Sequence, residues 1–219
     1  MAAKRLFTSK DQERIAAAVG KAESRTSGEI VPVIIGRSSG YRTSLWKAAM
    51  IGVLPGLAVH EWLLFGGDTW GRPVWMDGQL LPLMMIAGAV ITALLVNYVP
   101  YLQRLLIPER DMFRAVHARA KESFLDSEVF LTRERTGILL LVSLFEHRVE
   151  VLGDTGINAK VEPEDWADVI ADVVSGIRSG DPVSGLESAI LRCGALLEKA
   201  GVERRDDDQN ELSDAPQIL

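Results

Sequence analysis

Carboxylates are the side chains best placed to do chemistry in this sequence. Asp154 stands in the run Gly153-Asp154-Thr155-Gly156, at the end of an apolar stretch. Glycines there leave backbone carbonyls free to converge on a cation. Glu134 precedes a second apolar stretch, and Glu29 sits where a helix should hand over to a strand. Calcium and magnesium take several oxygen ligands, often from Asp, Glu and loop carbonyls. Asp154, Glu134 and Glu29 are therefore the candidate metal ligands, with calcium or magnesium as the cofactor. The simpler role for Asp154 is a turn-former that bonds its own backbone.

The nucleophiles are less promising. There is no GxSxG, no P-loop and no GxGxxG after a strand. Cys193, beside Gly194, reads as a small packing residue of the last helix. His117, near Arg114, Arg119 and Lys121, reads as solvated helix surface, and His147 as an exposed turn residue. Asp165, Asp168 and Asp172 read as one solvated helix face. His60 and Glu61 fall inside an apolar run but next to Trp62, which suggests anchoring at a membrane interface. No catalytic residue is assigned.

The elements that must position these groups follow from pattern. Of 219 residues, 30 are acidic and 24 basic, which argues against a general nucleic-acid binder. The apolar residues concentrate in two runs, roughly Leu45 to Phe65 and Leu80 to Ile107. About 20 mostly apolar residues cross a bilayer core of about 30 Å as a helix. The expectation is a transmembrane hairpin over 45–107, with helices at about 46–66 and 80–106. Arg37, Arg42 and Lys47 precede it, and Arg104, Arg110, Arg114, Arg119 and Lys121 follow it. The positive-inside rule puts both termini in the cytoplasm and the loop 67–79 outside. Trp62, Trp70 and Trp75 would anchor the outer interface, and Trp46, Tyr98 and Tyr101 the inner one. Gly52 and Gly56, with Ala89 and Ala93 at the same spacing, mark faces for helix packing or self-association. Pro55 should kink the first helix.

Around the hairpin, Ser9 with Gln12 suggests a capped helix bearing Ile15, Val19 and Ala22. Ile30–Ile35 reads as a strand, placed at an edge or bulge by Pro32. Helical spacing follows Pro108 at Phe113, Val116, Ala120 and Phe124. Gly137–Ser143 is a strand buried on both faces, and Val149–Leu152 returns from it as a hairpin. A helix opens at Pro163 with Trp166, Ile170, Val173, Val174 and Ile177 inward, and a last one reaches Ala200. Residues 201–219 are polar and acidic, and read as a disordered tail. The expected class is α/β: a three-layer α/β/α domain with a small mixed sheet, formed by 1–44 and 108–200 and interrupted by the hairpin. In an open α/β sheet, ligands favour the loops just outside the carboxyl ends of parallel strands.

Three stretches together resemble the TPM domain family. They are Thr26-Ser27-Gly28-Glu29-Ile30-Val31 after the first helix, Arg135-Thr136-Gly137 through Ser143, and Arg148-Val149-Glu150-Val151-Leu152-Gly153-Asp154-Thr155-Gly156-Ile157. The family includes a thylakoid lumen acid phosphatase of photosystem repair and bacterial membrane-anchored proteins. The resemblance implies the TPM fold, a calcium site near Asp154 and a phosphatase-like activity. Where many relatives carry Asp-Asn-Gly, this chain has Arg135-Thr136-Gly137, so an acid is replaced by a base. The leading expectation is a non-enzymatic interaction or assembly module for a membrane complex, with lipid and another membrane protein, or a second copy, as partners. A divalent-metal-dependent acid phosphatase-like hydrolase and a transporter or channel accessory subunit are the alternatives.

Overall fold

The computed structural model describes residues 7–65, 80–204, 207 and 210–219. The chain divides into two compact units, 1–39 with 112–219, and 40–111. Among the described residues there are eight α-helices and one four-stranded mixed sheet.

The first unit begins with α1, Ser9–Glu23, capped one residue earlier than expected. Thr8 accepts from the Asp11 amide, and Asp11 accepts from the Thr8 amide at 2.9 Å. Asp11 displaces Gln12 because a charged acceptor makes the stronger reciprocal bond. Those bonds, the Thr8 backbone one first, hold the Asp11 carboxyl below its usual range.

Three strands follow close to expectation: β1 Glu29–Ile35, β2 Gly137–Ser143 and β3 Arg148–Gly153. β1 and β2 run parallel from Glu29 opposite Gly137 to Ile35 opposite Ser143. β2 and β3 run antiparallel. Every residue of β1 and β2 is buried, because alternate side chains enter two cores. Ile30, Ile34, Ile138 and Leu140 pack with α1 and with α7 and α8, which span Trp166–Ser179 and Pro182–Lys199. Val31, Val33, Leu139 and Leu141 pack with Val116 and Ala120 of α5, Glu109–Asp126, and with Val129. Phe113 is half exposed rather than inward, and Met112 is buried in its place. Along α7, Val169 joins Trp166 and Val173 in the core, while Ile170, Val174 and Ile177 are partly buried. At the crossing of α7 and α8, a Cβ on Gly176 would lie 2.5 Å from the Gly185 Cα.

The expectation that 201–219 is a disordered tail is corrected. Val202 is buried, and Gln217–Ile218 form β4, parallel to β1, giving the order β3-β2-β1-β4. The Glu211 and Leu212 amides donate to the Glu29 carboxylate at 3.2 and 3.4 Å. Averaging over a polar stretch hid three apolar anchors, Val202, Leu212 and Ile218. The edge expected from Pro32 is also absent, since β1 lies between two strands. Ile34 and Gly36 bond Leu219, so even-numbered backbone groups of β1 face β4. Ile30 donates instead to Glu23 at 2.7 Å. β4 pairs only with Val33 and Ile34. Pro32 thus lacks an N–H where the short partner strand offers no acceptor.

The second unit holds α2 Arg42–Phe65, α3 Leu80–Tyr98 and α4 Pro100–Leu106. The expected helix over 80–106 is two helices, because Pro100 starts a new one after the extended residue Val99. α2 continues through Pro55. Ser44, Ala48, Gly52, Gly56 and His60 are buried at four-residue spacing. A Cβ on Gly52 would lie 2.4 Å from the Gly88 carbonyl oxygen, and one on Gly56 2.3 Å from that of Met84. The helices therefore pack antiparallel through glycine. Gly88, rather than Ala89 or Ala93, makes the close approach. Among the described residues one helix, α3, is long and apolar enough to cross a membrane. The expected hairpin of two membrane-crossing helices is therefore not shown among the described residues. The connecting loop, with Trp70 and Trp75, lies outside the described residues.

Candidate functional site

The sheet brings Glu29 and Asp154 to one end but does not join them. Glu29 is opposite Gly137, and the Asp154 amide donates to the Gly137 carbonyl at 2.9 Å. β3 is antiparallel, so its carboxyl end meets the amino ends of β1 and β2. This corrects the expectation of a site at the carboxyl ends of the parallel strands.

Each acid there is held separately. Asp154 is 4% exposed and caps the short α6, Thr155–Asn158, accepting from the Thr155 amide at 2.7 Å. Its other oxygen lies 2.9 Å from the Arg135 Nε, a close ion pair off hydrogen-bond alignment. Arg135 adopts a left-handed backbone, φ 58°, and donates to the Phe130 carbonyl at 3.2 Å. A Cβ at Gly156 would lie 2.4 Å from the Glu134 carbonyl oxygen, so glycine is needed for the 134–135 turn to sit this close. The Glu134 side chain is at the exposed surface. Glu29 is buried and bonded by the 211–212 amides. Among the described residues, no group of three or more His, Cys, Asp or Glu side chains is arranged to hold a metal ion. The donor set does not fit calcium or magnesium, which take several oxygens, because the buried carboxylate already faces a guanidinium.

The consequence is measurable. Arg135→Ala leaves Asp154 buried with only the Thr155 amide. It should cost about 1–3 kcal/mol in urea unfolding, less than a fully buried pair because Arg135 is half exposed. Millimolar calcium should leave the melting temperature of the native chain unchanged. A calcium-dependent rise that Asp154→Asn abolishes would refute this account.

A second cluster gave no motif in the sequence. At the carboxyl ends of β1 and β2, Glu146 is 2% exposed. It accepts from the Ser38 amide at 2.9 Å and from the Ser143 hydroxyl, whose oxygen lies 3.0 Å from that of Ser38. Arg37 stacks over Phe145 at 4.0 Å. The only signal was an acid in the turn directly after a buried strand. Its bonds tie the residues after β1 to the β2–β3 turn.

The other candidates separate cleanly. Cys193 is fully buried and its thiol is pushed up to about 12 by burial, which suits packing rather than attack. His147 is in an exposed left-handed turn. His117 is not merely solvated: its Nδ1 lies 2.7 Å from Glu150, and Phe113 stacks on its ring. Asp172 pairs with Arg192 at 2.6 Å, and Asp168 lies 3.8 Å from the same guanidinium. His60 is buried, not an exposed anchor. Its Nδ1 lies 3.4 Å from Glu61, and its Nε2 has no hydrogen-bond partner.

No family model matches the sequence. No curated protein matches it either. The NMR structure of BA42 protein from the psychrophilic bacterium Bizionia argentinensis aligns over 97% of this chain and 95% of its own, with a TM-score of 0.58. The two chains share a fold. Their sequences are 18% identical, so the likeness extends to the fold alone. It supports the α/β class expected from the sequence.

Proposed function

We propose that the protein is a membrane-anchored interaction module, with α3 and its partner α2 in the bilayer and the α/β unit in the cytoplasm. It would dock or help assemble another membrane protein rather than catalyse a reaction. One observation carries the reading. The α2–α3 pair turns its large apolar side chains outward: Met50, Leu54, Leu83, Ile86, Val90 and Leu95 are each at least half exposed. Contiguous apolar surface of this kind marks a membrane or a protein interface. The exposed aromatic rings fit a bilayer. Antiparallel packing puts Trp46 and Tyr98 near one end of the pair and Trp62 near the other. The bases before α2 and after α3 favour a cytoplasmic α/β unit by the positive-inside rule. The buried carboxylates Glu29, Glu146 and Asp154 are taken up by backbone amides, a serine or a guanidinium, which leaves none as a free general base.

The buried, unreactive Cys193 makes the test simple, because the native chain has no accessible thiol to compete. The protein should float with vesicles and resist carbonate extraction. A membrane-impermeant maleimide on intact cells should label Arg72→Cys but label Lys10→Cys only after permeabilisation. Recovery of the native chain in the carbonate-soluble fraction would overturn the anchor, and reversed labelling would overturn the orientation.

A further inference from the structure

β3 is the outer strand of the sheet, and no strand among the described residues pairs with its far edge. The bond from the Asp154 amide to the Gly137 carbonyl, with Leu152 opposite Leu139 and Glu150 opposite Leu141, fixes its orientation. Even-numbered residues turn their backbone groups to β2. By the two-residue period of a strand, Val149 and Val151 turn theirs outward.

The two faces of the sheet are covered unequally. Three helices pack on one, and α5 is the helix on the other. A helix is about 10 Å across and strands are about 4.8 Å apart, so α5 over β1 and β2 leaves β3 at its margin. At one end α5 and β3 are laced by His117 and Glu150. Further along they part around an open, mainly apolar groove of about 300 Å³, lined by Lys121, Phe124, Leu125, Leu152 and Gly153. Leu125 is 62% exposed. Among the described residues the Lys121 ammonium has no ion-pair or hydrogen-bond partner.

We propose that this edge and groove receive an extended segment of a partner protein. The segment adds to β3 as a further strand, places an apolar side chain in the groove and sets a carboxylate on Lys121. Backbone bonds to Val149 and Val151 supply affinity, and alternate side chains supply selectivity. A second copy of this chain fits less well. Its β3 edge has no free acid to set on Lys121, because the one acid of β3, Glu150, is already engaged with His117. The inference rests on the interaction-module reading, for which it supplies the docking surface.

The test uses the full chain in lipid nanodiscs with two fluorescent, blocked heptapeptides. One has the order Asp-Thr-Leu-Thr-Leu-Thr-Asp, and the other replaces both Asp by Lys. The acidic peptide should bind at least tenfold more tightly by anisotropy. Residue-resolved hydrogen exchange should show Val149 and Val151 gaining protection, while Glu150 and Leu152 are protected from the start. Val151→Pro, which removes an outward N–H and no bond to β2, should weaken binding at least tenfold. Lys121→Glu should reverse the preference between peptides without disturbing the edge. Equal binding of both peptides, or no new protection at Val149 and Val151 at millimolar peptide, overturns the proposal. So does protection that appears with rising protein concentration alone, which would assign the edge to a second copy. A chain that floats with vesicles yet binds no peptide fails here only, and one that binds peptide yet does not float fails only as a membrane anchor.

Discussion

A chain ending at Arg204 should unfold at markedly lower urea concentration than the full chain. The truncation removes β4 and with it the backbone bonds from Leu219 to Ile34 and from Gly36 to Leu219. It also removes two amides from the buried Glu29 carboxylate and the contact between Ser127 and Gln217. Bonds to a charged group are worth about 1.5–3 kcal/mol each, and burial of an isoleucine such as Ile218 a similar amount. Additivity is poor among neighbours, so the expected loss is about 3–6 kcal/mol. That is a large share of an ordinary domain's stability. Amide exchange should localise the damage to β1. Asp207→Ala is the control: it breaks an exposed pair with Arg133 and should leave the urea midpoint unchanged. Equal urea midpoints for the truncated and full chains would mean the 210–219 segment does not hold the sheet.

Gly52→Leu should loosen the α2–α3 pair. A Cβ there would lie 2.4 Å from the Gly88 carbonyl oxygen and 2.5 Å from the Thr92 hydroxyl. Backbone cannot yield as a side-chain tip can, so the helices must separate. Overpacking of this kind costs about 3 kcal/mol or more. In detergent, the melting temperature should fall and exchange along α2 should quicken. Gly40→Leu, where a Cβ meets nothing within 4 Å, should change neither. If both variants melt together, the glycine contact is not what holds the pair, and Gly52 and Gly56 would be free for self-association.

The parts of the fold that sequence made legible are those with strong local patterns. The runs Gly137–Ser143 and Val149–Leu152 are β-branched or leucine-rich and bounded by turn residues, and both strands fall there. Asp154 ends a strand and caps a helix, the turn-forming role its chemistry favours. What was hidden depends on distant partners. Pro32 signals an edge when seen alone, and only the two-residue length of β4 explains its place beside a neighbour. Ile218 is an isolated apolar residue in a polar stretch, and its strand exists because β1 offers it a free edge. The candidate metal ligands show the same limit. Glu29, Glu134 and Asp154 converge in sequence logic, but Arg135 reaches one and the 211–212 amides reach another. The Ser38, Ser143 and Glu146 cluster joins residues that no short spacing links.

The position of β1 in the sheet has a consequence for how the protein is made. Of the four strands β1 is translated first, yet it ends between β2 and β4. The whole helical unit is translated before β2, and β4 is the last of the strands to appear. A nascent chain therefore carries an apolar strand with both edges open while α2 and α3 are being made. Closing so long an interval costs little in entropy, because that cost grows only with the logarithm of length. The cost is exposure in time, since unpaired strand edges invite wrong partners. Slow translation between residues 36 and 137 should increase the demand for chaperones, whereas slow translation after residue 153 should matter much less.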